Sequence, residues 1–108
     1  MESSAVIRSL AALAQASRLQ IFKAMVQAGP AGLTPGDLSE RLGVAANTLS
    51  FHLKELMHAE LVTQERAGRR LIYRAEFGRM QELLAYLSDN CCQGSACAVN
   101  AGQLQPLC

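Results

Sequence analysis

The segment from Leu33 to Leu56 constrains the fold more than any other part of the chain. Thr34 is a helix N-cap with Pro35 at the first helical position and Asp37 in the first turn, and Leu38 and Leu42 share one face. Gly43 follows, the residue type that closes a helix in the left-handed conformation. After one to three linking residues, Leu49, Leu53 and Leu56 stack on the inner side of a longer helix running to about Ala59. Asn47, Thr48, Phe51, Lys54 and His58 fall on its outer side, with Ser50 at the flank. Two helices joined by a tight glycine turn, the second polar on its outer face, form a helix-turn-helix arrangement.

The flanking segments extend this pattern. Val6, Leu10 and Leu13, widened by Ile7, Ala11 and Ala14, predict a helix over residues 3 to 15. Ser17 is the expected cap of a second helix that turns Leu19, Phe22, Met25 and Val26 inward and ends at Gly29-Pro30 and Gly32. Residues 61–66 and 71–75 are strand-like runs around a loop of Ala67, Gly68, Arg69 and Arg70, which predicts a hairpin with arginines near its tip. Met80, Leu83, Leu84 and Leu87 then mark a last helix over 77 to 90. The expected order is α-α-α-α-β-β-α, a mainly helical winged helix-turn-helix, with a domain over 1 to 90 and a cysteine-containing tail over 91 to 108.

Composition narrows the function. At 108 residues the chain makes one small domain, and 10 basic against 9 acidic side chains give no overall case for a polyanion partner. The balance is uneven, because Arg66, Arg69, Arg70, Arg74 and Arg79 face only Glu65 and Glu76 between residues 61 and 79. No run approaches the ~20 apolar residues of a membrane span. The short apolar stretch after Arg8 falls below the ~7–15 residues of a signal peptide core, and Glu2 precedes it, so the expected location is the cytoplasm. All four cysteines, Cys91, Cys92, Cys97 and Cys108, lie beyond residue 90, a distribution unlike that of a disulfide-stapled scaffold. There is no Cys-x-x-Cys, no βαβ pattern and no basic side chain near the thiols, so an enzyme such as a thiol reductase is not expected.

The string Ser50-Phe51-His52-Leu53-Lys54-Glu55-Leu56 fits the S-x-H-L-x-x-L recognition-helix core of the ArsR/SmtB metal-responsive repressors, and Leu61-Val62, Gly68-Arg69 and Tyr73 continue the match. The chain resembles that family over roughly residues 6 to 90. Glu60 stands where the family often has glycine, a difference expected to matter little. The resemblance implies a homodimer joined through its first and last helices, holding double-stranded operator DNA. Two recognition helices would then meet half-sites about one DNA turn apart.

The outer face of the recognition helix offers amide, hydroxyl and ammonium groups from Asn47, Thr48, Ser50 and Lys54 to base edges and phosphates. Arg69 and Arg70 are placed to reach flanking phosphate or a minor groove. His52 lies beside the inward leucines and reads as a packing or hydrogen-bonding residue rather than a metal ligand. His58 lies on another face, so the two histidines form no i, i+4 ligand pair, and the family's zinc-sensing type, with ligands on the last helix, is disfavoured.

Cys91 and Cys92 present two sulfurs to one ion, and Cys97 follows a short Gly94-Ser95-Ala96 linker. Three thiolates suit a soft ion carrying a lone pair, As(III) or Sb(III), whereas zinc normally takes four ligands. Some arsenite repressors of the family carry cysteines in the first helix of the helix-turn-helix, where this chain has Leu33 to Leu38 and no cysteine; others resemble it, with a vicinal pair and a third cysteine after the last helix. Cys108 matches no such pattern. The expectation is therefore an As(III)- or Sb(III)-responsive repressor without an organic cofactor. Its alternatives are a thiol/disulfide redox switch, a sensor of cadmium or lead, and a sensor of methylated trivalent arsenicals.

Overall fold

The computed structural model describes residues 1–89; the candidate ligands Cys91, Cys92 and Cys97, and Cys108, lie outside the described residues. Helices α1 (Ser3–Leu13), α2 (Ala16–Ala28), α3 (Pro35–Leu42) and α4 (Ala46–His58) precede strands β1 (Val62–Ala67) and β2 (Arg70–Ala75), and α5 (Phe77–Leu87) follows. This is the winged helix-turn-helix order expected from the sequence.

Local chemistry sets each boundary. The Thr34 hydroxyl accepts from the Asp37 backbone N–H at 3.1 Å, and the Asp37 carboxylate accepts from the Thr34 N–H at 3.1 Å, a complete capping box on α3. Gly43 ends α3 in the left-handed region with φ 67°, and its N–H reaches the Ser39 carbonyl. The Ser39 hydroxyl donates to the Val44 carbonyl at 2.7 Å, fixing the turn into α4.

The core lies where α2, α3, α4 and the hairpin converge. Ile21, Met25, Leu38, Leu49, Leu56 and Leu61 are fully buried, with Leu33, Leu53, Val62 and Tyr73 packed beside them. Burying each such aliphatic side chain is worth roughly 1.5–3 kcal/mol relative to leaving it exposed. The hairpin pairs Val62 with Ala75 through to Ala67 with Arg70, and Leu33 forms a bridge to Tyr73 on the other edge of β2.

Several expectations need correction. The cap of α2 is Gln15, whose side chain accepts from the Arg18 N–H at 2.9 Å, so α1 ends at Leu13 and Ser17 lies inside the second helix. Leu19 is exposed and Ile21 takes the buried position, because α2 turns its 21, 22, 24 and 25 positions to the core. The loop between the strands is only Gly68-Arg69, so Arg70 is a strand residue. Glu60 has a positive φ of 61°, so the site where the family often has glycine is a left-handed one, strained for a residue with a Cβ.

The outer helices carry much apolar surface. In α1, Ile7 is 64% exposed and Leu10 41%; in α5, Leu84 and Leu87 are each 57% exposed, and of the predicted stripe only Leu83 is buried.

Candidate nucleic-acid interface

Leu49, Leu53 and Leu56 anchor α4 to the core, and that anchoring decides which side chains the helix presents outward. Asn47, Ser50, Phe51, Lys54 and His58 follow i, i+3, i+4, i+7, i+11; all five are exposed, with Thr48 exposed beside them. The Asn47 side-chain oxygen accepts from the Thr48 backbone N–H at 3.0 Å, leaving its amide NH₂ free to donate elsewhere. The helix starts without a side-chain cap at Ala45, so the N–H groups of Ala46 and Asn47 are open to an anionic group.

A buried polar contact fixes the underside of the same helix. His52 is 7% exposed, and its Nδ1 lies 3.5 Å from a guanidinium nitrogen of Arg18. The Arg18 Nε donates to the Ala12 carbonyl at 2.7 Å, so one side chain connects the end of α1, α2 and α4. His52 is the packing and hydrogen-bonding residue expected from its place beside the leucines.

On the wing, Arg66, Arg69 and Arg70 are exposed and form no salt bridge among the described residues. Arg74 is committed elsewhere, to Glu65 at 2.7 Å and to the Pro30 carbonyl at 2.6 Å. Arg79 pairs with Glu60. The local excess of arginine thus divides into two used for structure and three left outward. Sequence reasoning does not single out Arg66; the strand-like character of β1, all of which is exposed beyond Val62, is the signal that could have found it.

Asp37 connects the wing to α3. Hydrogen bonds from Thr34 hold its carboxyl below the usual carboxylate range, and the positive charges of Arg70 and Arg41 lower it further. Arg70 therefore sits in the field of an acidic side chain. Among the described residues no three metal-ligating side chains gather, and no helix is long and apolar enough to cross a membrane.

Residues 13–65 match a model described as a helix-turn-helix domain. Among solved structures, an ArsR-like transcriptional regulator from Rhodococcus sp. RHA1 is 26% identical, with 79% of this chain and 77% of that one covered at a TM-score of 0.71. HlyU from Vibrio cholerae, also solved in a reduced form, is 32% identical over 81% of this chain and 97% of its own, with a TM-score of 0.64. The homodimeric winged helix-turn-helix DNA-binding domain of a possible ArsR-family regulator from Mycobacterium bovis is 29% identical, covering 81% of each chain at a TM-score of 0.64. No curated protein matches the sequence.

Proposed function

The chain belongs to the winged helix-turn-helix transcriptional regulators of the ArsR kind, and on that premise we propose that it is a homodimeric repressor released from operator DNA by a trivalent metalloid. The observation that carries the DNA-binding half is the outer face of α4: Asn47, Thr48, Ser50 and Lys54 stand exposed together on a helix whose inner leucines are buried. Arg69 and Arg70 add phosphate contacts from the wing.

Dimerisation is supported by the apolar surface that α1 and α5 leave uncovered at Ile7, Leu10, Leu84 and Leu87. The related regulator domain from Mycobacterium bovis is described as homodimeric. A second copy would cover these side chains and set the spacing of the two recognition helices.

For the trigger, the support is donor chemistry and placement in sequence. Cys91, Cys92 and Cys97 follow α5 directly, and three soft thiolates match As(III) or Sb(III). Metalloid held there draws the segment after α5 together next to the proposed dimer interface and biases the dimer away from its DNA-bound form. Linkage then requires DNA to weaken metalloid binding by the same factor. The solved reduced form of HlyU gives the thiol/disulfide switch its place as a second reading, with Cys91 or Cys92 pairing to Cys97 or Cys108.

Anisotropy of a labelled operator duplex, titrated with arsenite, antimonite, cadmium or zinc, tests the reading on the full chain and on single cysteine-to-serine variants. Release by arsenite or antimonite that is lost at Cys91, Cys92 and Cys97 but retained at Cys108 is expected. A response surviving all three changes refutes the ligand set, and release by mild peroxide without metalloid selects the redox switch.

A further inference from the structure

We propose that Phe51 is a base-reading residue that packs against the C5 methyl group of a thymine in the major groove. The inference rests on the DNA-binding reading of α4 and adds to it a residue whose chemistry differs from every neighbour on that face. Phe51 is 55% exposed at the centre of the stripe, with Asn47 four residues before, Thr48 three before, Ser50 adjacent and Lys54 three after. Those neighbours can all hydrogen-bond; Phe51 can only bury apolar area.

The ring has one aromatic neighbour on its own helix. Its centroid lies 5.6 Å from that of His52 at an interplanar angle of 59°, and His52 is buried against Arg18. An aromatic side chain already braced on one side loses little rotamer freedom on binding, which favours a recognition role. Among the base edges in the major groove, the thymine methyl is the apolar feature, and phenylalanine is one of the side chains that contacts it. A polar helix face with one braced aromatic at its centre therefore fits a site in which hydrogen-bonded contacts surround a thymine.

The test uses the full-length protein and a duplex selected by it from a random library. That duplex is compared with a copy in which deoxyuridine replaces every thymidine, removing the methyl groups and keeping the pairing. The wild-type protein is expected to bind the demethylated duplex about fourfold more weakly per half-site, from the area of one methyl, and about fifteenfold more weakly as a dimer. Phe51→Ala is expected to bind both duplexes alike, and Phe51→Leu to keep part of the discrimination. Returning thymidines one at a time locates the methyl that is read. Indifference of the wild type to demethylation overturns the proposal, as does full discrimination by Phe51→Ala. If no duplex is enriched, base reading by α4 fails as a whole and this inference with it.

Discussion

Replacing Gly32 with alanine tests how the wing is seated on the body. Gly32 has φ 71° and ψ −177°, a region open essentially only to glycine, and a Cβ there would lie 2.7 Å from both Ile72 Cγ2 and the Tyr73 carbonyl oxygen. Gly29 provides the control. Its φ of 70° and ψ of −153° fall in the same region, but nothing lies within 4 Å of its Cβ position. Both alanine variants carry a backbone penalty of roughly 1–3 kcal/mol. Gly32→Ala adds about 1–3 kcal/mol of overpacking, because a strand carbonyl cannot swing aside as a side-chain tip can. In a domain of this size 1 kcal/mol moves the melting temperature by roughly 4–8 °C, so Gly32→Ala should melt about 4–24 °C below Gly29→Ala. Circular dichroism melts at one fixed protein concentration make the comparison, since dimerisation would make Tm depend on concentration. Equal melting of the two variants would refute the close-contact argument. Leu33 and Tyr73 exchange backbone hydrogen bonds of 2.9 and 2.8 Å immediately after Gly32, so the displaced strand should also cost the folded variant DNA affinity.

Three other perturbations probe the interface and its supports. Removing Arg69 and Arg70 should lower the steepness of the log affinity against log salt plot by about 0.9 for each phosphate no longer neutralised, up to about 3.6 for a dimer; an unchanged slope would place the wing outside the interface. The Asp37 carboxyl titrates below its ordinary 3.8, so the unfolded chain takes up that proton first. Its capping contribution should be complete above about pH 5 and fade as pH falls through the lowered folded-state value, a decline that urea midpoints should show for the wild type but not for Asp37→Asn. Replacing Leu84 and Leu87 together with glutamate should turn the proposed dimer into monomer in sedimentation velocity and weaken operator binding, whereas an intact dimer would put the interface elsewhere.

The helix-turn-helix was legible because its signals are local and redundant. The Thr34 cap, Gly43 and the Leu49, Leu53, Leu56 spacing each specify the same geometry, and the structure bears them out. The second helix was less legible. Its boundary depends on Gln15 reaching the Arg18 N–H, a contact no capping preference announces, and its buried face is set by the several elements packed around it. In the wing, arginine at the tip was visible, but not which arginines stay outward, since Arg74 and Arg79 find partners 9 and 19 residues away in sequence. The positive φ of Glu60 is not signalled by its own side chain, only by the glycine that the resembling family often has there.

Arg18 gives the molecule a mechanical property that its core does not. The leucines under α4 hold the helix down by burying apolar area, without directional bonds. The Arg18 guanidinium adds a directional polar link, donating to the Ala12 carbonyl at 2.7 Å and lying 3.5 Å from His52 Nδ1. A shift of the N-terminal helix that carries the Ala12 carbonyl would therefore reach α4 through this polar link as well as through the leucine packing, and removing the guanidinium would leave the packing alone to transmit it.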